Sequence, residues 1–242
     1  MTEPLLLATT RVTTYLGDTL LTGATGFFFE RLDRLYLVTS RHVVRDERSG
    51  HSPDRLEIEL HTSAVDLTQV QQVSLDLYKH GLSTWRSAQD QASDVDVAVL
   101  EIDRKALPQD VRLHCFTPKH LQDQLEDIEI GTSLLIVGFP LGFHDTVHHL
   151  PVARQATIAS AFGVRFQGQG FFLTDARTHR GTSGAPVVMR HAAANRDKLP
   201  WTLLGVHAAR MDMGGRDPSV DESLGLNCAW YADVLMALTD KT

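Results

Sequence analysis

The chain has 242 residues, 43% of them apolar and 22% charged, with 17 Gly, 9 Pro, 2 Cys and a net charge of −7. This balance excludes disordered, collagen-like and coiled-coil chains, and the length is enough to bury a core without disulfide or metal staples. No window is packed with basic residues as a phosphate-binding surface would be, so no nucleic-acid partner is expected.

The start, Met1-Thr-Glu-Pro-Leu-Leu-Leu-Ala, lacks a basic segment before its short apolar stretch and does not read as a signal peptide. The longest nearly apolar run, Leu134 to Phe143, is broken by Gly and Pro. It has roughly half of the ~20 residues a membrane helix needs. A cytoplasmic protein with no membrane partner is expected.

Alternating apolar residues between Gly, Pro, Asp and Ser predict strands over Arg11–Leu16, Gly26–Glu30, Leu35–Thr39, Leu56–Leu60, Val73–Tyr78 and Val95–Ile102. The pattern resumes over Ser133–Gly138, Ala156–Phe162, Phe171–Asp175, Ala185–Met189 and Thr202–His207. Many short strands of this kind specify an all-β barrel or sandwich. Between them, residues 104–130 read as a charged linker with a short helical possibility at Lys119–Leu125, dividing the chain into halves 1–103 and 131–242. At the end, Trp230, Val234, Leu235 and Leu238 recur at helical spacing and predict a helix over Ala229–Leu238. Cys115 and Cys228 have no CxxC spacing and are read as buried, reduced thiols.

Three segments carry chemistry-bearing residues. In Leu37-Val-Thr-Ser-Arg-His42, a strand ends in a polar turn with a histidine. Ser93-Asp-Val-Asp96-Val-Ala-Val-Leu sinks two carboxylates into the start of an apolar strand, where an ionised group needs a partner. In His179-Arg-Gly181-Thr-Ser183-Gly184, glycines flank a serine and let neighbouring N–H groups turn inward. A serine hydroxyl is a weak nucleophile that needs a base, and the base needs an orienting acceptor. Histidine, aspartate and serine on three loops meet that requirement together, although each segment alone is ordinary.

With these residues in place, the sequence resembles the trypsin-like, chymotrypsin-fold serine peptidases, especially the bacterial HtrA-type and glutamyl-endopeptidase branches. Thr39-Ser-Arg-His42, Asp96-Val-Ala-Val-Leu and Gly181-Thr-Ser183-Gly184-Ala-Pro resemble the family's three catalytic segments. The resemblance implies two antiparallel β-barrels with the active site in the cleft and a triad of His42, Asp96 and Ser183. It selects Asp96 over Asp94, because the D-x-A-x-L pattern begins there. It also implies an oxyanion hole made by the backbone N–H groups of Gly181 and Ser183. Thr182 stands where digestive members carry the Asp that receives a freed N-terminus, so activation by N-terminal processing is not expected; Ala185 replaces a common second Gly.

Positions that line the specificity pocket in this family correspond here to Arg177, Thr178 and the run Gly205-Val-His207-Ala208-Ala-Arg210. A Thr and a Gly-x-His in these places resemble enzymes that cut after Glu or Gln, with a small apolar residue as the alternative preference. His207 reads equally well as a satisfied core residue. His144, His148 and His149 sit in a loop without helical periodicity and read as solvated, so neither metal nor cofactor is expected. The expected partner is a protein or peptide substrate, with restraint by a regulatory protein in trans as an option. The competing reading is a catalytically silent peptide-binding module or a partner-regulated effector on the same fold.

Overall fold

The computed structural model describes residues 2–91, 94–125, 128–190, 199–211 and 224–240. After a single helical turn α1 (Pro4–Leu7), the first half runs β1 (Thr9–Leu16), β2 (Thr19–Arg31), β3 (Arg34–Thr39), helix α2 (Arg41–Val44), β4 (Arg55–His61) and β5 (Val70–Asp76). It continues with the small hairpin β6 (Tyr78–Lys79) and β7 (Leu82–Ser83), then β8 (Trp85–Gln89) and β9 (Asp94–Ile102). The second half comprises β10 (Ser133–Gly138), β11 (Val152–Ile158), β12 (Phe171–Asp175), β13 (Pro186–Arg190), β14 (Trp201–Arg210), β15 (Leu226–Tyr231) and helix α3 (Val234–Leu238).

The second half closes into a barrel in the order β10-β11-β12-β15-β14-β13. The first is a seven-stranded antiparallel sheet, β5-β4-β1-β2-β3-β9-β8, whose two edge strands are not hydrogen-bonded to each other among the described residues. It nevertheless curls on itself, because Val73 and Leu75 of β5 and Trp85 of β8 pack on the same buried cluster. The expected all-β double-barrel architecture is what the chain adopts.

Alternation along the strands explains how the halves are joined. Phe28 of β2, Leu35 and Leu37 of β3, and Ala98, Leu100 and Ile102 of β9 fill the first barrel. Their neighbours Phe27, Phe29, Tyr36, Val38, Val95, Val97 and Val99 face the other way. There they share one cluster with Val137, Phe171, Leu173, Val206 and Trp230 of the second half. The inter-barrel contact is therefore a continuous apolar core, which fixes the two halves closely enough to build a site across them. Phe116, from the segment expected to be a linker, is fully buried in this core and exchanges backbone hydrogen bonds with Phe28 and Glu30 of β2.

Three elements differ from expectation. The terminal helix is confined to α3, because residues 226–231 form β15, which pairs with both β12 and β14 and closes the barrel. Trp230 is apolar at helical spacing from Val234, but its burial comes from this strand. β11 starts at Val152, four residues before the apolar run, since Ala153, Arg154 and Gln155 pair along β10. β8, Trp-Arg-Ser-Ala-Gln, is too polar to show alternation and is held by pairing with β9. Both cysteines are free, Cys228 buried and Cys115 half-buried. Among the described residues no helix is long and apolar enough to cross a membrane.

Candidate active site

His42 lies in the single turn α2, which follows β3 and is anchored by the buried Val43 and Val44. Its ring faces Asp96, the third residue of β9. Nδ1 donates to Asp96 Oδ2 at 2.7 Å, and the backbone N–H of His42 donates to Oδ1 at 2.9 Å. A carboxylate only accepts, so Nδ1 carries the proton and Nε2 keeps its lone pair. Asp94 is directed elsewhere, accepting from Gln89 Nε2 at 2.8 Å and lying 3.9 Å from Arg41. Of the two candidate carboxylates, Asp96 alone engages His42.

Ser183 sits between Gly181 (φ 91°) and Gly184 (φ 85°), in the left-handed region that side chains rarely adopt. Space makes the same demand: a Cβ on Gly181 would lie 2.5 Å from the Phe139 carbonyl oxygen, and one on Gly184 would lie 2.2 Å from the Thr25 carbonyl oxygen. The turn is closed by Thr182 N–H donating to His179 O and Ala185 N–H donating to Thr182 O. The N–H groups of Gly181 and Ser183 donate to no described protein atom, so this loop presents two free donors. Ser183 Oγ donates to the Ala208 carbonyl at 3.0 Å, and no hydrogen bond joins it to His42 among the described residues.

The loops carrying His42 and Ser183 meet on one oxygen, because the His207 carbonyl accepts from Gly184 N–H at 2.8 Å and from Ser40 Oγ at 3.3 Å. A residue absent from the sequence reading holds them together more extensively. Thr25 of β2 is fully buried; its N–H donates to Ser183 O at 3.0 Å and its hydroxyl donates to Gly181 O at 2.7 Å. The same hydroxyl accepts from Phe139 N–H at 3.1 Å, and Thr25 O accepts from the Thr39 hydroxyl at 2.8 Å. The first barrel thus fixes the backbone of the Ser183 loop in the second.

Electrostatics separates the two histidines of the site. Desolvation is the largest influence on His42 and opposes its charge, yet the hydrogen bond and charge of Asp96, aided by Asp46, outweigh it and raise the pKa above 6.5. His207 is 2% exposed with its Nδ1 unpartnered, and burial, followed by the charge of His42, pushes it down to about 3. It is therefore neutral at ordinary pH.

The other pocket candidates are dispersed. Thr178 is buried and donates to Asn227 Oδ1 at 2.5 Å, while Asn227 Nδ2 donates to the carbonyls of Thr174, Ala176 and Gly225. Asn227, a second residue missed from sequence, thus rigidifies that wall. Ala208 is buried, whereas Arg177 and Arg210 are exposed. Burial and then the charges of Arg154, Arg177 and Arg210 lower the pKa of His179, so these three arginines share one positive field beside the Ser183 loop.

Two measurements check this geometry. Thr25→Val keeps the shape but leaves Gly181 O and Phe139 N–H without their buried partner, so denaturant unfolding should show a loss of about 1–3 kcal/mol. An unchanged midpoint contradicts the junction. NMR titration of His42 should give a pKa above 6.5, falling in Asp96→Asn. Because the folded value is raised, the pair's stabilising effect is complete below the unfolded pKa and is lost as pH rises through the folded one.

The family description "Trypsin-like peptidase domain" matches residues 24–193, more than two thirds of the chain. No curated protein sequence matches the chain. Among solved structures, it is similar to the HtrA-type protease AlgW, in a variant with a tripeptide, at a TM-score of 0.57 and 17% identity, covering 96% of this chain and 58% of that one. It is similar to a serine endoprotease from Yersinia pestis at a TM-score of 0.57 and 17% identity, covering 97% and 62%. The inactive form of Rv3671c from M. tuberculosis H37Rv gives a TM-score of 0.52 and 14% identity, covering 98% and 88%. The chain spans about three fifths of the first two, and at these identities the likeness is one of fold. The family match is independent of them and covers β2 to β13: the chain belongs to the trypsin-like peptidase domain family.

Proposed function

We propose that this protein is a serine endopeptidase working through His42, Asp96 and Ser183. The observation that carries the reading is the His42–Asp96 pair on a loop tied through the His207 carbonyl to the loop that holds Ser183 and two unengaged N–H groups. In the reaction, Nε2 of His42 takes the Ser183 proton as Oγ attacks the peptide carbonyl, and later gives it to the leaving amine. Asp96 fixes the tautomer and stabilises the imidazolium. The carbonyl oxygen, now negative, is received by the N–H groups of Gly181 and Ser183, each worth about 10²–10³ in rate by analogy with such donors. Water then releases the acyl group from Ser183 by the same proton transfers in reverse. The hydrogen bond and charge of Asp96 raise the His42 pKa, which makes its imidazole a stronger base for the Ser183 proton.

For specificity we propose Glu or Gln before the scissile bond. His207 is neutral and can donate an N–H to a side-chain carbonyl or carboxylate, while the positive field of Arg154, Arg177 and Arg210 favours Glu of the two. Thr178 acts through the wall it forms with Asn227, because its own proton is already donated.

One observation favours the second reading, a silent peptide-binding module: Ser183 Oγ is hydrogen-bonded to Ala208 O and not to His42. Fluorophosphonate labelling separates the two. The peptidase reading expects labelling of wild type and none of Ser183→Ala, with cleavage of a peptide library after Glu or Gln, and with Glu cleavage falling more than Gln in Arg210→Ala. Absence of labelling, with peptide affinity retained in both proteins, establishes the silent module. A flat or apolar cleavage profile removes His207 and Thr178 from recognition.

A further inference from the structure

Away from the nucleophile, the loop between β10 and β11 brings two histidines to a carboxylate of the other barrel. Ligand-capable atoms of Glu59, His144 and His149 all lie within 4.8 Å of one another, and each residue is half-buried. His149 Nδ1 is 3.3 Å from Glu59 Oε2, and the rings of His144 and His149 have centroids 6.3 Å apart. From these residues we propose a binding site for a divalent transition ion of the zinc type, joining β4 to the β10–β11 loop.

The donor set selects the ion. Two imidazoles and one carboxylate suit zinc, cobalt or nickel, whereas calcium and magnesium require oxygen ligands throughout. Metal–ligand bonds of 2.0–2.1 Å in a tetrahedron put ligand atoms about 3.4 Å apart, so the observed cluster needs to contract by little more than an ångström. Water would complete the fourth position.

The surroundings prepare the ligands. His144 Nδ1 donates to the Gly142 carbonyl at 2.6 Å, which leaves Nε2 with the lone pair a metal needs. Glu59 Oε1 faces Arg11 Nη1 at 3.7 Å, an orienting contact on the side away from His149. Arg11 also lowers the pull on a cation, which argues for a site filled by nitrogen-seeking ions and not by charge alone. The loop itself is held in shape: Asp145 accepts from the N–H groups of Val147 and His148 and from His148 Nδ1, and its N–H donates to Leu150 O. His61 of β4 donates to the His148 carbonyl at 2.7 Å, tying the loop to the strand that carries Glu59. His148 is thereby occupied by Asp145, and His149 turns inward from a left-handed backbone (φ 55°).

Of the three histidines expected in a solvated loop, His148 is exposed, whereas His144 and His149 are half-buried. A helical spacing would have grouped His144 with His148; the folded loop groups His144 with His149, and the third ligand comes from 85 positions upstream of His144. No part of this inference depends on peptidase activity.

The test is metal titration of the whole chain, with Zn²⁺ by calorimetry and Co²⁺ by visible absorption, after removal of metal by a chelator. One ion per chain should bind, and the Co²⁺ complex should show the intense bands of a tetrahedral site. Glu59→Gln, His144→Asn and His149→Asn should each weaken binding about tenfold or more. His42→Ala should leave it unchanged, which excludes capture at that histidine. Circular dichroism in chelator reports whether each variant is folded; should Glu59→Gln unfold, the more exposed loop residue His149 carries the same test. Absence of binding, or binding that survives the three ligand substitutions, overturns the proposal.

Discussion

The hydroxyl of Thr25 is the constraint on which the site depends. It donates to Gly181 O and accepts from Phe139 N–H, so one buried atom joins β2 of the first barrel to two loops of the second. Fully desolvated polar groups cost free energy unless paired, so this junction can exist only if all of its members are in place. The glycines around it follow from the same close approach. A Cβ on Gly138 would meet Thr25 Oγ1 at 2.6 Å, and one on Gly184 would meet Thr25 O. With Gly181 O and Ser183 O both held by Thr25 and Thr182 N–H donated to His179 O, the Ser183 N–H between them has no freedom to turn back and satisfy itself. Free donors in a rigid loop are what a developing oxyanion requires.

Behind the junction, the apolar core between the barrels plays the role that a linker cannot. Val95 and Val97 lie on the inter-barrel face of β9, and Asp96 between them turns to the opposite side, where it meets His42. The alternation that packs the barrels together also aims the carboxylate. The two histidines then diverge by environment: Asp96 stabilises the charged form of His42, while burial, with no carboxylate contact among the described residues, keeps His207 neutral. A chargeable imidazole and an uncharged one thus lie close enough to feel each other's charge.

Much of this was legible in the residues. Strand positions follow from alternation, and the resemblance to the family's D-x-A-x-L pattern selects Asp96 over Asp94. What escaped was non-local. Thr25 is one of several threonines along β1 and β2, and nothing in its neighbourhood marks it as the one that reaches a loop 156 positions away. Asn227 is likewise silent until β12 and β15 pair. Trp230, Val234, Leu235 and Leu238 are spaced for a helix over Ala229–Leu238, but barrel closure by β12 and β14 makes residues 229–231 the end of β15. Glu59 could not be linked to His144 and His149 from spacing, since strand register and loop folding bring them together. Ser183 was identified by its flanking glycines, but its hydrogen bond to Ala208 O, which leaves the hydroxyl to be redirected before attack, was not.

The central claim is that the Thr25 junction presents a prepared oxyanion site beside Ser183. A crystal structure of the chain after reaction with a peptidyl phosphonate tests it most directly. The account predicts a covalent bond from Ser183 Oγ, now rotated away from Ala208 O. The phosphoryl oxygen should lie about 2.7–3.1 Å from the N–H groups of Gly181 and Ser183, with the Thr25 hydrogen bonds unchanged. An unmodified Ser183, or an adduct whose oxygen points away from both donors, would contradict it.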